Sequence, residues 1–150
     1  MLYSPWNLAS GVNEFLDRIT EKVAPPTILC IDDEALGLKI RRTVLERAGY
    51  HVLTAEDGPS GLSLFREQAV DGVVLDYYMP DMDGGVVAET MRRERPSVPI
   101  MLLSAYINLP ADLVSLVDVT LLKGEGPQEL LEKLRLMLGS RCASESGGAR

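Results

Sequence analysis

Five polar side chains in this sequence stand directly after short apolar runs, and together they have the composition of a phosphoryl-transfer site. Val73-Val74-Leu75 leads into Asp76. Asp32 and Asp33 follow Thr27–Ile31, Ser104 follows Pro99–Leu103, and Lys123 follows Val119–Leu122. If the runs are parallel strands, these residues share one rim of a sheet, where open α/β folds carry out ligand chemistry. Three carboxylates crowded there repel one another, and a divalent cation removes that cost. Mg²⁺ suits the set, because it is hard and takes one or two carboxylates plus phosphate oxygens. Asp76 can then act as a nucleophile toward phosphorus and form an acyl phosphate. Mg²⁺ and the Lys123 ammonium offset the charge that builds on the phosphoryl oxygens, and Ser104 can donate a hydrogen bond to one of them.

Each residue also has a plainer reading. An acidic residue that opens a helix is usually a cap or a dipole partner, which covers Asp32 and Asp33 and is the reading kept for Asp83. Ser104 alone is a strand-end hydroxyl and Lys123 alone a surface lysine. Four strand ends in order, each bearing the group the chemistry requires, favour the joint reading. His51 begins the second strand, at the opposite rim, and is read as non-catalytic.

The elements that must position these groups follow from apolar spacing. Asp32-Asp33-Glu34 opens a helix whose apolar members are Leu36, Ile40, Val44 and Leu45, closed by Gly49. His51–Thr54 is a second strand. The turn Asp57-Gly58-Pro59-Ser60 starts a helix to about residue 68, with Leu62, Leu64 and Phe65 apolar. Gly72–Leu75 is the third strand. Asp83 caps a helix to about residue 95, and Pro96 stops it. A short helix spans Ala111–Val117. Pro127–Leu138 is the last helix, burying Leu130, Leu131, Leu134 and Leu138. Five strand–helix repeats with continuously apolar strands argue for an α/β fold, a parallel sheet covered on both faces.

The ends of the chain differ from this core. In residues 1–26, Trp6, Ala9, Val12, Leu16, Ile19 and Val23 recur at steps of three and four and predict an amphipathic helix. Pro5 or Ser10 starts it and Pro25-Pro26 ends it, and Gly11 weakens it by about 1 kcal/mol. It is either an arm packed on its own domain or a pairing seam that would make a homodimer through residues 5–23. Residues 139–150 are small and polar and are expected to be frayed or disordered.

Composition narrows the functional classes. The 150 residues are 46% hydrophobic, enough for one domain with a core, here 27–138. A net charge of -7 disfavours nucleic acid and anionic membrane surfaces as partners. Two cysteines, Cys30 and Cys142, form no disulfide framework. With no secretory signal and no apolar stretch of membrane-spanning length, a cytoplasmic location is the expectation.

The chain resembles the receiver domain of two-component response regulators. Asp76-x-x-Met79-Pro80-x-x-Asp83-Gly84 matches the family's phosphorylation loop at every fixed position. Ile31-Asp32-Asp33-Glu34, Leu103-Ser104-Ala105 and Leu122-Lys123 match the remaining motifs in order, over about residues 27–138. The resemblance implies a doubly wound, flavodoxin-like sheet in order 2-1-3-4-5 with five helices. It implies phosphotransfer to Asp76 from a sensor histidine kinase or a histidine phosphotransfer protein. It further implies Mg²⁺ held directly by Asp33, Asp76 and the backbone carbonyl of Tyr78, with Asp32 acting through water. Tyr78 and Tyr106 occupy the positions that flank the phosphoryl group, and two bulky rings there would slow its hydrolysis.

Four features depart from the family. Lys123 is followed by Gly124 where a cis proline is usual, and a cis bond without proline costs about 2.5–4 kcal/mol. The loop is then trans or Lys123 is less firmly held. Thr120 replaces the usual switching aromatic, Leu116-Val117 replaces Gly-Ala, and the stretch from Ser104 to Lys123 is shorter than usual. All four gather at helix four and strand five, the family's usual output face. Three functions compete. The first is a stand-alone receiver, catalysing only its own phosphorylation and dephosphorylation and signalling to a downstream protein, since only a dozen or so residues follow the last helix. The second is a non-switching interaction or dimerisation module, with a homodimer through the helix four–strand five face. The third, an aspartyl-phosphate hydrolase, normally needs an aspartate where Tyr78 stands.

Overall fold

Strand propensity and burial agree where the runs are apolar on both faces. The computed structural model describes residues 24–148, with side chains as far as Gly139. The helix and pairing seam expected before Val23 lie outside the described residues. β1 (Thr27–Ile31), β3 (Gly72–Asp76) and β4 (Ile100–Ser104) form the middle of the sheet and are almost wholly buried. β2 (His51–Ala55) and β5 (Val119–Leu122) are its edges and are half-exposed, because each has one neighbouring strand instead of two. The order is β2-β1-β3-β4-β5 and every pairing is parallel, as the resemblance implied.

Alternate residues of the central strands feed two cores. On one face Leu29, Ile31, Val73, Leu75, Ile100 and Leu102 pack against α2 (Gly58–Glu67), α3 (Gly84–Glu94) and α4 (Ala111–Leu116). On the other, Ile28, Cys30, Val74, Met101 and Leu103 meet α1 (Ala35–Arg47) and α5 (Pro127–Gly148). Phe65, fully buried on α2, stabilises by roughly 1.5–3 kcal/mol.

Two sequence expectations need correction. In α1 the buried residues are Leu38 and Leu45, whereas Leu36 and Ile40 are 68% and 53% exposed. Of the expected apolar members, Leu45 is buried and Val44 packs against the same core, while Leu38 takes the inward place in that core and Leu36 and Ile40 lie in solvent. The last helix does not stop at Leu138, because α5 continues helically to Gly148 through the segment expected to be frayed. The Arg141–Ser146 stretch contains no proline, so Gly139 alone does not break the helix.

Local chemistry fixes the helix starts that border the rim. The Asp57 carboxylate accepts the Ser60 N–H at 2.7 Å and starts α2. Asp83 does the same for α3, accepting the Val86 N–H at 3.0 Å. α1 ends on Gly49 at φ 99°, with the Tyr50 N–H donating back to the Leu45 carbonyl at 3.1 Å. α4 is a short helix, and Arg92 of α3 ties its end down. The Arg92 guanidinium donates to the Leu116, Pro96 and Val98 carbonyls and pairs with Asp118 at 2.7 Å.

Candidate functional site

The parallel sheet brings Asp32, Asp33, Asp76, Ser104 and Lys123 to one rim, as the strand ends predict. His51 sits at the other end of its strand, paired with Thr27 at the start of β1. Asp76 closes β3 and is 1% exposed. Its neighbour Tyr77 continues the ladder by donating to the Leu103 carbonyl at 2.9 Å. Beyond it the chain turns back so tightly that the Gly84 N–H donates to the Tyr77 carbonyl at 2.7 Å. A Cβ on Gly84 would lie 2.6 Å from the Asp76 carbonyl oxygen, so only glycine allows α3 to begin this close to the acceptor strand.

Asp32, Asp33 and Asp76 each offer a carboxylate oxygen within 4.8 Å of the others. Asp32 and Asp76 are buried and Asp33 is exposed. For the two buried charges a separation no larger than this implies a repulsion of at least about 3.5 kcal/mol at an effective dielectric of ~20. Two cations answer it. The Lys123 ammonium lies 2.9 Å from Asp76 Oδ1, and the Arg41 guanidinium pairs with Asp32 Oδ2. Against three carboxylates this leaves one negative charge uncompensated among the described residues. Among the described residues neither oxygen of Asp76 accepts a hydrogen bond, the Lys123 contact being an ion pair off hydrogen-bond alignment. Buried carboxylate oxygens without donors, grouped with two more hard oxygen ligands, fit a small divalent cation of the Mg²⁺ type.

Lys123 is held although Gly124 stands where a proline is usual. There is no cis peptide among the described residues, so the Lys123–Gly124 bond is trans. The Lys123 N–H donates to the Ser104 carbonyl at 2.9 Å and continues the β4–β5 ladder. Glu125 closes the turn. Its carboxylate accepts the Leu122 N–H at 2.9 Å, its N–H donates to the Leu122 carbonyl at 3.0 Å, and it lies 3.6 Å from Lys133 Nζ.

Ser104 ends β4, but its hydroxyl is engaged. Oγ accepts the Tyr106 N–H at 2.9 Å and donates to the Tyr106 carbonyl at 3.1 Å. To serve a phosphoryl oxygen, it must give up that carbonyl. Tyr78 and Tyr106 stand open at the rim, 74% and 63% exposed.

Sequence reasoning missed Arg41 and Glu125. Arg41 reaches Asp32 from α1 through a space left by Gly37, and burial lowers the guanidinium pKa while Cys30 and Asp76 act to raise it. Its only sequence signal was a basic residue one turn after a glycine on the helix that follows the acidic pair. Cys30, beneath the cluster on β1, has its thiol pushed up to about 12 by burial, with Arg41 opposing, and stays a protonated core residue.

Comparison with known proteins agrees with this geometry. Residues 28–135 match the response regulator receiver domain. The probable transcriptional regulator ycf27 of Guillardia theta is 37% identical over 114 residues, which cover 74% of this chain and 44% of that protein. The chain spans less than half the length of the first curated relatives it matches. The response regulator TrrA of Thermotoga maritima, solved in complex with Mg(2+)-BeF, superposes with a TM-score of 0.71 at 32% identity, covering 75% of this chain and 98% of that one. A CheY-like receiver from Methanospirillum hungatei shares the fold, with a TM-score of 0.75 at 24% identity over 81% of this chain and 99% of that one. Motif order, strand order and matched span agree, and the chain belongs to the response regulator receiver domain family of two-component signalling.

Proposed function

We propose that this chain is the phosphoacceptor of a histidine-to-aspartate relay, with Asp76 as the accepting residue. The observation that carries the reading is the Asp76 carboxylate itself. It is buried at a strand end, both oxygens lack hydrogen-bond donors among the described residues, and a lysine lies 2.9 Å away. An Asp76 oxygen attacks phosphorus of a phosphohistidine on a sensor kinase or phosphotransfer protein. The new O–P bond forms as the N–P bond breaks, and the imidazole leaves with the electron pair. Lys123 offsets the charge on the phosphoryl oxygens. Ser104 turns its hydroxyl from the Tyr106 carbonyl to one of them. Asp33, Asp76 and the Tyr78 carbonyl would hold Mg²⁺, with Asp32 acting through water, and the ion would supply Lewis-acid neutralisation of the transferring group. The chain catalyses no reaction beyond gaining and losing its own phosphate. The state of Asp76 is read by a downstream protein, or by a second copy of the chain, at the α4–β5 face.

Acetyl phosphate with Mg²⁺ should add one phosphoryl group to the wild type and none to Asp76→Asn, as read by intact mass. No adduct on the wild type, or equal adducts on both proteins, would overturn the assignment.

One observation favours a second reading. Arg92 fastens the α4–β5 connection to α3, and Thr120 offers no aromatic to rotate. The domain would then serve as a constitutive interaction module. Beryllofluoride with Mg²⁺ separates the two: shifts in the α4–β5 amide signals support switching, and none there supports the module.

A further inference from the structure

A glycine and an arginine one turn apart on α1 face the acidic cluster. Gly37 and Arg41 are at i and i+4 and so share a helix face. A Cβ on Gly37 would stand 3.4 Å and 3.5 Å from the two terminal nitrogens of Arg41 and 3.6 Å from Asp32 Oδ2. These are ordinary van der Waals distances, so alanine would fit at position 37, whereas a side chain reaching beyond Cβ would compete with the guanidinium for this space. The guanidinium is mostly buried, its side chain 16% exposed, and it pairs with an Asp32 carboxylate that is 2% exposed. Asp32 is then committed on both oxygens, because Oδ1 accepts the Glu34 N–H at 2.9 Å. Asp76 lies near enough to act on Arg41 electrostatically.

We propose that Arg41, seated in the notch left by Gly37, is a built-in counter-cation of the acidic pocket that holds Asp32 and competes with the divalent ion for it. With Arg41 and Lys123 in place, the three carboxylates keep one uncompensated negative charge, and a divalent cation overshoots it. Without Arg41 the deficit is two charges, which a divalent cation cancels. Arg41 thus organises the pocket in the absence of metal and weakens its hold on metal. It is a positioning residue, acting through Asp32. The inference rests on the reading of the cluster as a Mg²⁺ site.

The test is a Mg²⁺ titration at fixed ionic strength, followed by calorimetry and by amide NMR shifts, on wild type, Arg41→Leu and Gly37→Leu. No phosphodonor is present, so the readout is affinity and not activity. Arg41→Leu should bind Mg²⁺ on the order of tenfold more tightly, since a desolvated charge pair is removed from one ligand. Gly37→Leu keeps the arginine but denies it the notch, and should shift affinity in the same direction by at least about threefold. It also exchanges a helical glycine for a better helix former, so it stands as the decisive variant if Arg41→Leu fails to fold without metal. Mg²⁺ should also raise the melting temperature of both variants more than that of the wild type. Affinities within about twofold of wild type, or weaker, overturn the role of Arg41 while leaving the metal site standing. If no Mg²⁺ binds to any of these proteins, the metal site falls and the inference with it.

Discussion

Replacing Lys123 with methionine isolates what the ammonium does for Asp76. The side chain keeps its length and apolar stem but loses its charge. Asp76 is 1% exposed and receives no hydrogen bond from the described residues, among which Lys123 lies 2.9 Å away as a compensating charge. At that separation the attraction is about 5.7 kcal/mol with an effective dielectric of ~20, and about 1.4 kcal/mol in water. The Lys123 side chain is 30% exposed, so the true value lies between these limits. Part of it is offset by ordering a long side chain, which costs up to about 2 kcal/mol. Lys123→Met should therefore cost about 2–4 kcal/mol in metal-free urea denaturation, as expected for stranding a buried charge. Adding Mg²⁺ should stabilise the variant more than the wild type, because the ion replaces the missing positive charge. The rate of phosphorylation by acetyl phosphate should fall by roughly 10²-fold even with the ion present. A metal-free loss below about 1 kcal/mol would refute the argument that Lys123 compensates a buried, donorless carboxylate.

Gly84→Ala forces a Cβ to within 2.6 Å of the Asp76 carbonyl and 2.8 Å of Tyr77 Cα, both backbone, and should cost about 2–3 kcal/mol by urea denaturation despite alanine's better helix propensity. The Cys30 thiol, at about 12 when folded against an ordinary 9.0, releases its proton far more readily from the unfolded chain. Its contribution is thus intact below pH 9 and drains away as pH climbs toward 12, at up to ~1.4 kcal/mol per pH unit, and Cys30→Ala should flatten that alkaline slope in denaturation curves. If the exposed rings of Tyr78 and Tyr106 shield an acyl phosphate on Asp76, it should decay more slowly than in a Tyr78→Asn, Tyr106→Glu variant; equal lifetimes by mass spectrometry would count against shielding.

Much of the site was legible because its signals are short-range. An apolar run followed by an aspartate, then Pro80, a capping Asp83 and Gly84, specifies a strand, a turn and a helix start within about a dozen residues. The five strand ends meet at one rim because parallel strands joined by right-handed crossovers all run the same way. What was not legible depends on side chains that meet across the fold or on which of several local hydrogen bonds a residue makes. Arg41 looks like any helix-surface arginine until α1 is laid beside Asp32. On α1 the expected apolar set was right for Leu45 and Val44 and missed Leu38, while Leu36 and Ile40 satisfy helical spacing equally well yet lie in solvent, a choice that packing makes. The engagement of Ser104 with Tyr106, and of Glu125 with Leu122, are local bonds that residue types alone do not single out.

The turn that presents Lys123 runs through Gly124 and is fastened by Glu125. Its backbone is held by a carboxylate that also faces the half-exposed Lys133 ammonium 3.6 Å away, a pairing that added salt weakens. Lys133 in turn donates to the Thr120 carbonyl at 3.2 Å, so α5, β5 and the Lys123 turn share one polar clasp. Added salt is therefore expected to loosen the turn that carries Lys123.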